Sequence, residues 1–156
     1  MGQNRHEEQM YLKIEEFLKE QGYEILEERT FRHEDMGVEI GQKCITPDVI
    51  GYKDNAVWII ECKPYCTVEQ FGFALGQLAY DRWIFEKTKC HLLMERTIGR
   101  EIKSFKYSIA LLEANERPIR RRLLETFKEI LSYNGLRFGL LKVNEKTGEV
   151  KEEILI

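Results

Sequence analysis

The order of apolar and polar positions divides this chain into short elements of two different periods. Over residues 5–21, Met10, Tyr11, Ile14, Phe17 and Leu18 recur at helical spacing, and Gly22 follows as a stop. Residues 23–31 are predicted as a strand, and the polar, glycine-bearing residues 33–42 as a loop. Two apolar, β-branched and aromatic runs, 44–52 and 56–63, flank Asp54-Asn55, the pattern of a β-hairpin. Thr67-Val-Glu-Gln70 fits a capping box that opens a helix running to about Lys87. Phe71, Phe73, Ala74, Leu75, Leu78, Ala79, Tyr80, Trp83, Ile84 and Phe85 leave that helix apolar on nearly every side, so it is expected to be buried in the middle of the fold. Residues 88–105 carry no decisive period. A strand over 106–113, a helix opened by Pro118 and closed at Asn134-Gly135, a strand over 136–143 and a last strand ending near Leu155 complete the pattern. A hairpin followed by a βα succession predicts an α/β fold with a mixed central sheet flanked by helices.

Composition narrows the class. A chain of 156 residues suits one domain with its own core, and no repeat or linker divides residues 1–156. No run approaches the roughly 18 apolar residues of a membrane span. Residues 1–8 are polar and lack the apolar stretch of a secretory signal, so a cytoplasmic location is expected. Cys44, Cys62, Cys66 and Cys90 form no C-x-x-C pair, and three histidines give a zinc site little support. Either Cys62, Cys66 and Cys90-His91 hold a metal or cluster, or these are thiols kept reduced. The net charge of −3 is unevenly spread: residues 1–48 carry 6 Lys/Arg against 12 Asp/Glu, and residues 49–156 the remaining 18 against 15. A basic face on an acidic body is adequate for gripping a phosphate backbone.

The hairpin carries the chemistry. With Asp54-Asn55 as a two-residue turn, Asp48 falls directly opposite Glu61. Strand alternation then puts Ile50, Ile59, Glu61 and Lys63 on the face of Asp48, and Val49, Trp58, Ile60 and Cys62 on the other. Two opposed carboxylates on an apolar hairpin repel, and a divalent cation is the economical way to offset that repulsion. The backbone carbonyl of Cys62 offers a further oxygen. Lys63 lies beside that site, suited to orienting or deprotonating a nucleophile and to offsetting phosphate charge. The alternative is a surface aspartate and a Glu61–Lys63 bridge at a strand end.

Thr-Pro-Asp-Val-Ile-Gly at 46–51, followed by Trp-Ile-Ile-Glu-Cys-Lys at 58–63, resembles the PD-(D/E)-x-K nuclease superfamily, which includes restriction endonucleases and Holliday-junction resolvases. Ala74-Leu-Gly-Gln-Leu-Ala-Tyr80 is similar to the helix that follows this motif in many members. The resemblance covers residues 44–83 well and the downstream strand–helix–strand loosely. It implies a restriction-endonuclease-like core, with Asp48 and Glu61 as ligands of Mg2+ or Mn2+ and Lys63 as the catalytic lysine. It further implies Gln77 as a helper, and hydrolysis of DNA phosphodiesters by metal-activated water. Gln77 is also the one long polar side chain at 71–80, in a segment expected to be buried, where an amide needs partners. Many members add a glutamate from the first helix. Glu7, which shares the face of Met10, Tyr11, Ile14 and Leu18, is the candidate here.

The helix over 118–133 turns Leu123, Leu124, Phe127, Ile130 and Leu131 inward. Arg121, Arg122 and Lys128 are expected to project into solvent and, with Arg117, to contact phosphates without reading bases. The expected partner is double-stranded or branched DNA, no membrane is implied, and a homodimer supplying two sites is one arrangement. A non-catalytic nucleic-acid-binding or subunit-interface protein on the same fold, and an RNA-directed nuclease, are the alternatives.

Overall fold

A computed structural model describes residues 2–32, 44–113 and 119–153, the side chains at 2–7 and 44–45 excepted. Its elements are α1 (Gly2–Glu20), β1 (Glu24–Ile25), β2 (Phe31–Arg32), β3 (Cys44–Ile45), β4 (Val49–Lys53), β5 (Ala56–Lys63), α2 (Val68–Lys87), α3 (Cys90–Ile98), β6 (Ser104–Glu113), α4 (Arg121–Tyr133), β7 (Gly139–Asn144) and β8 (Val150–Glu153). Six strands form one sheet in the order β1-β4-β5-β6-β7-β8, while β2 and β3 pair separately. β5, β6 and β7 run parallel, and β4 and β8 flank them antiparallel. The expected α/β architecture, a mixed sheet flanked by helices, is the observed one. No helix among the described residues is long and apolar enough to cross a membrane.

Both faces of the sheet are covered, which explains why its central strands are apolar at nearly every position. On one face Met10, Ile14 and Leu18 of α1 pack on Val49, Trp58, Ile60, Cys62, Ala110 and Leu141. On the other, Phe71, Leu78, Phe85 and Phe127 close over Ile50, Ile59, Tyr107, Ile109 and Leu140. The ring of Phe71 stacks on that of Phe127 with centroids 4.0 Å apart, tying α2 to α4. The Trp58 indole N–H donates to the Ser108 hydroxyl at 2.9 Å inside the sheet. Gly139 belongs beside that pair because a Cβ there would stand 2.7 Å from Ser108 Oγ.

Gly51 sets how α1 lies on the hairpin. A Cβ at Gly51 would meet Leu18 Cδ1 at 3.0 Å, so the helix rests against the β4 backbone there. Seven helical residues back from Leu18 cover about 10 Å, and three strand residues back from Gly51 cover about the same. Tyr11 therefore lies level with Asp48 along the strand.

Several expectations change. The strand expected over 23–31 is two short pieces, β1 and β2, because β1 pairs with Gly51 and Tyr52 of β4 while β2 pairs with β3. The first arm of the hairpin is likewise split: β3 pairs with β2, and β4 begins only after Pro47-Asp48. The unassigned segment holds α3 and the start of β6. The last helix begins at Arg121, with Pro118 outside the described residues. α2 is not buried on every side: Phe73 and Trp83 are 56% and 47% exposed. The loop expected over 33–42 lies outside the described residues.

Candidate metal and catalytic site

The predicted hairpin register is the observed one. Val49 pairs with Ile60, Ile50 with Ile59 and Lys53 with Ala56, around a turn in which Asp54 takes φ +53°. Continued by one residue, this register sets Asp48 against Glu61. Alternation holds along β5 as well: Ile59 joins the core under α2 and α4, whereas Trp58, Ile60 and Cys62 join the core under α1.

Asp48 is half-buried and held at both oxygens. The Tyr11 hydroxyl donates to Oδ1 at 3.0 Å, and the Cys62 backbone N–H donates to Oδ2 at 2.8 Å. Tyr11 is a site residue that sequence reasoning counted only as core. Its signal lay in the phenol at the edge of the α1 stripe, one turn after Glu7.

Glu61 is buried at 4% exposure, and the reason its environment is unusual comes from α2. Asp81, 5% exposed, reaches down from that helix and contacts the Glu61 carboxyl. Burial first, then the nearby Asp48 carboxylate and the Asp81 contact, hold Glu61 well above the usual carboxylate range. Burial likewise raises Asp81, with Asp48 adding to the rise and the Glu61 contact opposing it. Two carboxyls in contact retain a proton between them, because neither can be desolvated as an anion beside the other. Asp81 Oδ2 is buried without a hydrogen-bond partner among the described residues.

Asp81 is the acid that sequence reasoning missed. On a helical wheel it falls between the buried Ala74 and Ile84, but in a helix apolar on nearly every side the sequence does not single out that arc. Gln77 is exposed, so the burial expected for it does not hold.

Lys63 ends β5, half-buried, on the face of Glu61, with Pro64 next in the chain. It forms no ion pair among the described residues, so a Glu61–Lys63 bridge is not the arrangement found. The side chain of Cys62 is buried on the opposite face, leaving only its backbone to the site. In an antiparallel pair a residue turns its N–H and C=O toward the same neighbour. The Cys62 carbonyl thus faces the Asp48 side along with the N–H that binds it. The side chain of Glu7 and all of Arg117 lie outside the described residues. No group of three or more His, Cys, Asp or Glu side chains disposed to hold a metal ion occurs among the described residues.

Arg121 and Arg122 are exposed at the start of α4, as expected, and Arg121 pairs with Glu125 at 3.1 Å. Lys128 departs from expectation: it is half-buried and approaches Glu153 at 3.7 Å, an acid it shares with Lys142. The short antiparallel strand β8 brings Glu153 there, and β8 lies beside β7 only in the folded sheet.

No family model matches this chain, and no curated protein does. Among solved structures, it is similar to an XisH family protein from Nostoc punctiforme PCC 73102, with a TM-score of 0.54 and 13% identity over 94% of this chain and 98% of that one. It is equally similar to an FdxN element excision controlling factor protein from Anabaena variabilis, with a TM-score of 0.54 and 13% identity over 96% and 99% of the two chains. At that identity the likeness is one of fold, and it runs nearly end to end: this chain has the α/β fold of those two proteins.

Proposed function

We propose that this chain is a divalent-metal-dependent nuclease that hydrolyses DNA phosphodiester bonds. The observation that carries the reading is the opposition of Asp48 to Glu61, with the Asp81 carboxyl buried behind Glu61 and one of its oxygens unpartnered. Three carboxyls this close inside a fold suit a divalent cation, which would take the place of the proton that Glu61 and Asp81 share. Mg2+ suits a site with few side-chain ligands, because it keeps several waters and takes only one or two carboxylates. Asp48 and Glu61 would hold Mg2+ or Mn2+ with the Cys62 carbonyl, and Glu7, one turn ahead of Tyr11 on α1, remains a candidate. Bound there, such an ion acidifies water and offsets charge on a phosphoryl oxygen. Tyr11 orients Asp48 through Oδ1, and the Cys62 N–H pins Oδ2. Lys63 offsets phosphate charge and holds or accepts the proton of the attacking water. Gln77, exposed on α2, would meet substrate rather than brace Lys63. One fold neighbour is described as controlling the excision of an element, which accords with action on DNA.

Manganese calorimetry tests the ligand set. Asp48→Ala and Glu61→Ala are each expected to weaken Mn2+ binding about tenfold or more, at least what losing a group that merely orients a ligand costs. Unchanged affinity in both variants removes the site. A panel of linear, branched and single-stranded DNA and RNA, with Mg2+, Mn2+ or chelator, then tests the reaction. Metal binding with DNA affinity but no cleavage on any substrate would mark a non-catalytic binding protein.

α4 supplies the proposed phosphate contacts, with Arg117 just ahead of it. The Arg121–Glu125 pair is solvent-exposed and exchanges cheaply for a phosphate. Neutralising Arg121 and Arg122 together is expected to flatten the salt dependence of DNA binding, by about 0.9 in log–log slope for each phosphate that is no longer neutralised. Lys128, held by Glu153, is expected to contribute less than either. A double variant with the wild-type slope would move the DNA away from α4.

A further inference from the structure

We propose that the outer face of α2 is a homodimer interface, on which two copies of this chain pack α2 against α2 antiparallel about a two-fold axis level with Leu78. The inward arc of α2 is spent on the core. On the opposite side Glu69, Phe73, Gly76, Trp83 and Lys87, with the half-buried Tyr80 between Gly76 and Trp83, recur at alternating steps of four and three. At about 100° per residue all six lie within about 40° of one line. That is the seam spacing through which helices pack side by side.

The seam is costly to a lone molecule. Phe73 and Trp83 hold large rings in water at 56% and 47% exposure. Gly76 weakens the helix relative to alanine, yet nothing stands within 4 Å of where its Cβ would be, so no contact inside the chain requires glycine. A second copy accounts for these features together. With the axis level with Leu78, Phe73 meets Trp83 of the partner subunit, and Gly76 lets the two helix backbones approach where they cross. Glu69 meets Lys87 of the partner subunit. Each pairing occurs twice, as a two-fold interface requires.

Charge selects this arrangement over its rival. A parallel pairing would set glutamate on glutamate at one end of the seam and lysine on lysine at the other. Neither Glu69 nor Lys87 has an ion-pair partner within the chain among the described residues. The helix dipole alone favours an acid in the first turn and a base in the last. It leaves the two exposed rings between them unexplained. The seam is about 27 Å long at 1.5 Å per residue, enough for a helix pair of ordinary extent.

Sedimentation of the full chain, without metal or DNA, tests the interface separately from the nuclease reading. The wild type is expected to dimerise and Trp83→Glu to sediment as a monomer, with circular dichroism confirming that the variant is folded. Glu69→Lys and Lys87→Glu are each expected to weaken the dimer about tenfold by placing like charges together. The double swap, Glu69→Lys with Lys87→Glu, is expected to restore it, because the pairs are complementary again. A monomeric wild type, a dimeric Trp83→Glu, or a double swap no tighter than the single ones overturns the proposal.

Discussion

Lys63→Ala is expected to slow DNA cleavage by about a hundredfold or more, while DNA binding and Mn2+ affinity stay close to wild type. A hundredfold corresponds to about 2.7 kcal/mol of transition-state stabilisation, the scale of a positioned acid–base or charge-stabilising group. The structure separates this effect from a folding defect. Lys63 is half-buried at the last position of β5 and has no ion pair to lose among the described residues. It is not among the proposed metal ligands, so the ion should still bind. Single-turnover cleavage at saturating DNA isolates the chemical step. A variant cutting at the wild-type rate would make Lys63 structural and remove it from the mechanism.

The second large effect concerns stability and runs opposite to the usual consequence of altering a buried group. Glu61 and Asp81 both titrate above the ordinary carboxylate range in the folded chain. The folded state therefore binds more protons than the unfolded one once pH rises past the usual carboxylate values. The stability these groups contribute is fully present below the unfolded values, and it is lost as pH rises through the raised folded ones. Without metal, the protein is expected to lose stability as pH rises from about 5 through about 6, where Asp81 titrates, and to go on losing it toward about 11, where Glu61 does. Asp81→Asn should recover part of that at pH 8 and remove the step near pH 6, because an amide donates to Glu61 where a second carboxyl competes for its proton, while burial and Asp48 still hold Glu61 up. Calorimetric unfolding at pH 5, 6.5 and 8 in chelator measures it. An Asp81→Asn protein less stable than wild type at pH 8 would mean that the acid–acid contact stabilises the fold. A gain in stability on removing an acid is the signature of a site kept strained for function.

The geometry of the candidate site was legible because it is local. The register of the hairpin follows from a two-residue turn and period-two alternation, so Asp48, Glu61 and Lys63 come together through counting alone. The N-cap at Thr67 was equally plain, and its side chain accepts from the Gln70 backbone N–H at 3.1 Å. The α/β class followed from the order of periods along the chain.

What the chain order does not carry is which side of an apolar segment meets the rest of the protein. α2 is apolar almost all round, so its sequence alone does not separate the arc that packs on the sheet from the arc that faces solvent. Docking against β5 and β6 made that choice: it buried Asp81, exposed Gln77, and left Phe73 and Trp83 outside. Tyr11 reached Asp48 because a missing Cβ at Gly51 lets α1 settle on the hairpin at one height. Lys128 met Glu153 because β8 folds back beside β7. Turn length and strand alternation act over a few residues and are written in the sequence. The neighbours of a helix face are set by packing between distant segments, and only the tertiary structure decides them.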